Sequence, residues 1–263
     1  MGLPLFHVDA FTQTPFAGNS AAVCILDKPR DETWLQQVAS EMNLAATAFL
    51  YPQEDGYSLR WFSAKVELEL CGHGTLASAH TLWEQGYLAN DAQARFYTRG
   101  GFLTAKQDGE WIELNFPAKP EVAAEPLTVL KESLGVTPHY VGKSQLDYLV
   151  ELESEEIVRS IQPDFGQLAT LPARGIIITA AANAGSEYDF VSRFFCPSVG
   201  INEDPVTGSA HCALSPFWSK RLGRAQLTGY QASERGGIVR VQFDGDRVHL
   251  GGQAITVLRG QLL

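Results

Sequence analysis

Cys71-Gly72-His73-Gly74-Thr75-Leu76-Ala77-Ser78-Ala79-His80-Thr81-Leu82-Trp83 is the stretch that decides how this chain folds. Read as a helix beginning at Gly72, it carries small or apolar residues on nearly every side and no charged face, and a helix of that kind is buried. A similar string returns in the C-terminal half as Gly208-Ser209-Ala210-His211-Cys212-Ala213-Leu214-Ser215-Pro216-Phe217-Trp218. Both open on Gly, carry a His early and end in Trp. The repetition implies an α+β fold of two similar lobes, each a curved, mostly antiparallel sheet or barrel around a central buried helix.

The segments around these helices fit that plan. In the first half, Leu5 to Phe11, Ala22 to Leu26, Thr47 to Tyr51 and Tyr57 to Phe62 read as short strands, and Asp31 to Asn43 as an amphipathic helix with an acidic first turn. Strands resume at Ala94 to Thr98, Gly101 to Lys106 and Trp111 to Asn115. Pro117-Ala118-Lys119-Pro120 and then Glu121 to Pro126 read as a connection without a ladder, because prolines cannot donate to one. The second half reads as a helix from Pro126 to Gly135, a strand at Leu146 to Leu152, a short helix at Ser154 to Ile161 and strands at Gly175 to Ala180 and Tyr188 to Phe195. After the second buried helix come strands at Ala225 to Gln231, Gly237 to Phe243, Arg247 to Leu250 and Gln253 to Leu258. The expected lobes are 1–117 and 118–263, with the closing strand, 253–263, free to pack back onto the first.

Bulk properties narrow the function. With 263 residues, 45% hydrophobic and 19% charged, the chain has ordinary globular composition and a sizeable core. A net charge of −10, with no basic run to offset it, argues against nucleic acid and anionic membranes as partners. Cys24, Cys71, Cys196 and Cys212 are scattered, without the paired spacing of a zinc site or a disulfide framework. No metal or cofactor is expected. The N-terminus has no basic region followed by a cleavage site, and no apolar run is long enough to span a bilayer, so the expected location is cytoplasmic.

A buried helix start is a chemical resource. Its first-turn N–H groups have no intrahelical partner, and the macrodipole adds roughly half a positive charge there. Glycine lets a ligand approach that backbone closely. Two such starts facing across a cleft between lobes would hold a small carboxylate between Gly72 to Gly74 and Gly208 to Ser209. Cys71 and His73 flank the first start, and Glu203, Asp204, Thr207 and Ser209 the second. His73 reads either as a functional imidazole or as a buried histidine satisfied by a backbone carbonyl. Cys71 reads either as a thiolate favoured by the helix start or as a small inert hydrophobe. Cys24, Cys196 and Cys212 read as core. Glu203 and Asp204, adjacent and pointing opposite ways, offer one proton donor between them, although Asp204-Pro205 also fits simple helix capping.

Several separated motifs resemble the phenazine-biosynthesis (PhzF-like) isomerase family. They are Val8-Asp9-Ala10-Phe11 with Pro15-Phe16-Ala17-Gly18-Asn19, Arg60-Trp61-Phe62 leading to Cys71-Gly72-His73-Gly74-Thr75, and Arg193-Phe194-Phe195. Glu203-Asp204-Pro205-Val206-Thr207-Gly208-Ser209-Ala210-His211 and Tyr230-Gln231-Ala232-Ser233 with Arg235-Gly236-Gly237 complete the set. The resemblance runs from near Phe6 to near Gln261 and implies the diaminopimelate-epimerase-like fold. It also implies a biosynthetic, cofactor-free proton-shift isomerase of a small, cyclic carboxylate, and it allows a homodimer. Asp204, His73 and Ser209 would be the supporting acid, orienting and binding residues, with Asn19, Gly72, Gly74, Thr207 and Gly208 around the substrate.

One departure bears on the chemistry. Family members read Asn-Leu-Ser-Glu-Thr before an apolar strand, with the glutamate as base, whereas this chain reads Asn43-Leu44-Ala45-Ala46-Thr47-Ala48-Phe49. Ala46 stands at the base position and cannot accept a proton. An introduced change, a natural loss that leaves a small-anion-binding protein, and the use of another base are all open. Cys71 is the replacement the resemblance offers, since related epimerases use a cysteine at that helix start. Thr207 stands at the position of their second cysteine, which disfavours a symmetric two-cysteine racemase.

Overall fold

The computed structural model describes residues 2–125 and 127–263. The chain forms two compact units, Met1–Phe116 with Gly251–Leu263, and Pro117–Leu250. Unit 1 contains β1 (Leu3–Ala10), β2 (Asn19–Ile25), α1 (Glu32–Met42), β3 (Ala46–Gln53), β4 (Gly56–Phe62), β5 (Glu67–Leu68), α2 (Gly72–Glu84), β6 (Ala94–Thr98), β7 (Gly101–Asp108) and β8 (Trp111–Pro117). Unit 2 contains β9 (Val122–Ala123), α3 (Thr128–Leu134), β10 (Tyr140–Lys143), β11 (Asp147–Glu151), α4 (Glu155–Ser160), α5 (Phe165–Leu168), β12 (Gly175–Ala181) and β13 (Phe190–Cys196). It continues through β14 (Ile201–Asp204), α6 (Gly208–Leu222), β15 (Gln226–Gln231), β16 (Gly237–Asp244) and β17 (Arg247–Gly252). The last strand, β18 (Ala254–Leu262), pairs with β1.

The duplication is explicit in the strand ladders. In unit 1, β1–β2 is antiparallel, β2–β3 parallel, β3–β4 antiparallel, β4–β6 parallel and β6–β7 antiparallel. In unit 2, β10–β11, β11–β12, β12–β13, β13–β15 and β15–β16 repeat the same sequence of directions. The partner of β1 is β18 and the partner of β10 is β9, both antiparallel. Short hairpins, β4–β5 and β13–β14, lead into α2 and α6 respectively. Each parallel pair next to the first hairpin is joined by helix, α1 in unit 1 and α4 with α5 in unit 2, as a parallel connection requires.

Each sheet has a small apolar layer under its outer helices and a central helix on the other face. In unit 1, Leu35, Val38 and Ala39 of α1 pack on Cys24, Phe49 and Phe62. Strand alternation sends Ala46 and Ala48 to the opposite face from Phe49, the face of α2. In unit 2, α3, α4 and α5 cover Val150, Ile176, Ile178 and Phe195 through Leu130, Val158 and Leu168, while α6 packs on β15, β16 and β11.

Helix α2 can be buried because its hydroxyl side chains close on its own backbone. Thr75, Ser78 and Thr81 of α2 donate to the carbonyls of Cys71, Gly74 and Ala77 at 2.7, 2.7 and 2.8 Å. Two tryptophans of these helices are anchored outside them: Trp83 Nε1 donates to the Ala92 carbonyl at 3.0 Å and Trp218 Nε1 to Thr179 Oγ1 at 2.9 Å. Pro216, inside α6, cannot donate to the Cys212 carbonyl, and the Lys119 backbone N–H takes that acceptor instead at 2.9 Å.

Some local expectations are corrected. The 117–126 connection carries a ladder after all, since Val122 and Ala123 pair with Lys143 and Gly142 between the flanking prolines. The helix expected from Pro126 runs Thr128–Leu134 with Gly135 as its left-handed cap, and Pro126 itself lies outside the described residues. Ala46 does not precede the strand but opens it, paired with Ala21 and fully buried. The strands β5, β10 and β14 and the helix α5 carry no signal strong enough to read from sequence, being two to four residues long. No helix of the described residues is long and apolar enough to cross a membrane.

Candidate active site

The start of α2 is built by Cys71. It takes an extended conformation as the N-cap, and its Sγ accepts the Gly74 N–H at 3.3 Å. Gly72, His73 and Gly74 are all buried. His73 Nδ1 lies 3.3 Å from Asn19 Nδ2. With the amide as donor, Nδ1 is the acceptor and the imidazole proton sits on Nε2. Cys71 Sγ is nearly equidistant from Nδ1 and Nε2 of His73, at 3.6 and 3.7 Å. A sulfur on the axis of one ring nitrogen would be much farther from the other, so the thiol packs against the imidazole and does not form one directed bond with it.

Asn19 owes its position to Asp9. The β1–β2 ladder ends at the pair Ala10 and Asn19, and the Asp9 carboxylate accepts from Phe16 N–H at 2.8 Å and from Ser20 Oγ at 2.6 Å. Those two bonds pin the hairpin loop on either side of Asn19. Ala46 shares a sheet face with Trp61, since Ala48 and Trp61 are paired across β3 and β4. Trp61 in turn meets the helix start, because a Cβ on Gly74 would stand 2.8 Å from Trp61 Cδ1 and 2.9 Å from Cys71 Sγ.

The start of α6 is organised by Gln231, a fully buried side chain of β15. Gln231 Oε1 accepts the Thr207 N–H at 2.9 Å, and its Nε2 donates to the Asp204 carbonyl at 2.8 Å and to Thr207 Oγ1 at 3.1 Å. Thr207 Oγ1 donates to Asp204 Oδ2 at 2.6 Å, so the hydroxyl is committed to the carboxylate and does not cap the helix. Ser209 is met by Arg174, whose Nη1 donates to Ser209 Oγ at 3.0 Å while its Nε and Nη2 clasp Asp147 at 2.9 and 2.5 Å. Glu203 is excluded as the free acid of its pair: Arg193 holds both of its oxygens at 2.7 and 2.8 Å.

His211 differs from His73. Its Nδ1 lies 2.9 Å from the Thr207 carbonyl, which can only accept, so Nδ1 carries the proton. Burial pushes its pKa down to about 4, against the opposing effect of that hydrogen bond. Burial likewise pushes the thiols of Cys24 and Cys212 up to about 12 and raises that of Cys196, so all three are inert core groups. Among the described residues, no cluster of three or more His, Cys, Asp or Glu side chains could hold a metal ion.

The candidate residues therefore fall into two groups, Asn19, Ala46, Cys71, Gly72, His73 and Gly74 in unit 1, and Asp204, Thr207, Gly208 and Ser209 in unit 2. Sequence reasoning missed the supports, Arg174, Asp147 and Gln231, and did not single out Trp61 for the site. Gln231 falls inside the Tyr230-Gln231-Ala232-Ser233 motif, which was its available signal. Arg174 and Asp147 precede and open ordinary apolar strands, and nothing in their local pattern distinguishes them.

Comparison with known proteins agrees with this architecture. The model of the family described as "Phenazine biosynthesis-like protein" matches residues 8–260. A Halalkalibacterium halodurans protein named an uncharacterized isomerase is 51% identical, over 100% of this chain and 99% of that one. The crystal structure of an Enterococcus faecalis protein of the PhzF family superimposes with a TM-score of 0.94 at 38% identity, covering 100% of both chains. A hydroxyproline epimerase from Agrobacterium vitis, solved with trans-4-hydroxy-L-proline, has a TM-score of 0.64 at 11% identity over 99% of this chain and 90% of that one, a likeness of fold. With the duplicated ladders and the two buried helix starts in place, the chain belongs to the phenazine biosynthesis-like (PhzF) family of isomerase-named proteins, on the diaminopimelate-epimerase-like fold.

Proposed function

We propose that this chain is built for cofactor-free proton shift on a small, cyclic carboxylate, and that Ala46 removes the base from an otherwise furnished site. The first-turn N–H groups of α2 and those of α6 would be the donors offered to the substrate carboxylate. His73, oriented by Asn19, and Asp204, oriented by Thr207, would supply the orienting and acidic groups, and Ser209 a binding hydroxyl. The observation that carries this reading is the position of Ala46: the first residue of β3, buried, on the α2 face of its sheet and diagonal to Trp61. A longer side chain rooted there would reach toward the same helix start that Cys71 and His73 flank.

The test is Ala46→Glu beside the parent chain, each given a dihydro-hydroxyanthranilate and a panel of other carboxylates in deuterated water. Deuterium entering the carbon α or vinylogous to the carboxylate reads proton transfer. The substitution is expected to raise the rate about 10²- to 10⁴-fold, the usual contribution of a general base. Equal incorporation by both proteins would move the chemistry to another residue, and its loss in Cys71→Ser would assign it to Cys71. Ligand binding without incorporation by either protein would favour the second reading, a catalytically silent small-anion-binding protein, which Ala46 itself favours.

A further inference from the structure

Ser209 is the second residue of α6, and between Gly208 and Trp218 it is the one residue of that helix that is not buried. Helix side chains tilt toward the N-terminus, which brings its hydroxyl to the end where the first-turn N–H groups have no intrahelical partner. The polarity of that hydroxyl is set by Arg174, whose Nη1 stands 3.0 Å from Ser209 Oγ. A guanidinium has donors only, so the oxygen accepts and the serine proton points elsewhere. In α2, Thr75 and Ser78 return their protons to the carbonyl four residues back. The carbonyl four residues before Ser209, that of Pro205, lies outside the helix and accepts from Ser233 Oγ at 2.8 Å. Among the described residues, none accepts the Ser209 proton.

Arg174 is held on every side that bears on this contact. Its Nε and Nη2 clasp the buried Asp147, and its guanidinium lies over the Phe194 ring, 5.2 Å from the centroid. Its backbone N–H donates to the Leu146 carbonyl at 2.8 Å, and its own carbonyl accepts from Ser198 Oγ at 2.9 Å. The sheet does not need this ion pair. Gly175 pairs with Asp147 as Ala46 pairs with Ala21, and Ile176 with Phe195 as Thr47 with Phe62, so Ala21 and Ala45 stand in unit 1 where Asp147 and Arg174 stand in unit 2. What the two units do share is a side-chain donor at the second residue of the central helix. His73 of α2 has the Asn19 amide 3.3 Å from its Nδ1, and Ser209 of α6 has Arg174.

We infer that Arg174 is a positioning residue: clasped by Asp147, it holds Ser209 Oγ as an acceptor and so keeps the Ser209 O–H as a donor to a carboxylate oxygen of the substrate at the start of α6. This rests on the proposal of a carboxylate substrate and adds to its site a residue that acts through Ser209.

The test is a double-mutant cycle on the full-length chain. The parent, Arg174→Lys, Ser209→Ala and the double variant are titrated calorimetrically with a dihydro-hydroxyanthranilate. Lysine keeps a positive charge for Asp147 but lacks the fork that serves Asp147 and Ser209 together. The expected result is binding about 10- to 100-fold weaker in Ser209→Ala, the effect of losing one hydrogen bond to a charged group, and about 3- to 10-fold weaker in Arg174→Lys. The double variant is expected to bind no more weakly than Ser209→Ala. That coupling separates positioning from a general loosening of the fold, which would add to the Ser209→Ala loss in full. Parent affinity in either single variant, or additive losses in the double one, would overturn the inference. If Arg174→Lys does not fold, Asp147→Asn takes its place in the cycle, since it keeps the guanidinium and releases its clasp, and the same outcomes apply. If the parent does not bind the acid, the proposed substrate class falls. The four proteins are then titrated with formate, the same coupling supporting Arg174 as the positioning residue and its absence, including no binding of formate, rejecting it.

Discussion

Asp9, His73 and His211 illustrate how single side chains in this protein are set by the one or two atoms they meet. Asp9 spends both carboxylate oxygens on its own hairpin, so the loop that carries Asn19 is fixed before any ligand arrives. His73 is the second residue of α2 and His211 the fourth of α6, and their partners differ: the Thr207 carbonyl puts the proton of His211 on Nδ1, while His73 Nδ1 faces the Asn19 amide. His211 also gives the molecule a pH dependence. Its pKa is about 4 in the folded chain against an ordinary 6.5, so between these values the unfolded chain binds more protons. The stability it contributes is complete above about pH 6.5 and is lost as pH falls toward 4, up to about 3 kcal/mol. Urea unfolding at pH 7 and pH 5 is expected to show a smaller drop for His211→Gln than for the parent, whereas equal drops would place the proton uptake elsewhere.

At the scale of elements, the packed start of α2 reverses the usual rule for glycine. In a helix interior, Gly→Ala ordinarily stabilises by roughly 0.5–1 kcal/mol. Gly74 is different, because the added methyl would lie 2.8 Å from the Trp61 ring and 2.9 Å from Cys71 Sγ, neither of which is the free end of a flexible chain. Gly74→Ala is expected to destabilise by about 1–3 kcal/mol, as other overpacked positions do. Denaturant melts check the sign, and a variant as stable as the parent would mean that the ring and sulfur yield freely. How legible these elements were depends on length. The two central helices and the strands of five or more residues announce themselves by composition and period. Strands of two residues such as β5 and β9 have no period to detect and exist because a neighbouring strand offers them a ladder.

Across the whole molecule, duplication has kept the ladder directions while letting the electrostatics diverge. Arg193 is the more deeply set of the paired arginines, with its side chain 9% exposed, and it also donates to the carbonyls of Val158 and Ile161. Arg60 is 21% exposed, and its partner Glu67 also contacts Arg99. Arg193→Ala is expected to cost about 3 kcal/mol, because it strands acceptors in the interior, and Arg60→Ala about 1 kcal/mol. Equilibrium unfolding of the two variants measures the difference, and similar costs would show the two devices to be equivalent. The α+β class, the two buried helices, most strands and the family's motif positions were legible in the sequence. All of these are properties of short contiguous runs, in which period, glycine and charge act locally. Only the tertiary structure decided that Glu203 is consumed by Arg193, that Gln231 and Arg174 hold the start of α6, and that Trp61 faces the start of α2. Each of these is a contact between side chains far apart along the chain, and hydrogen-bond geometry over such distances is fixed by strand register, which no local pattern encodes.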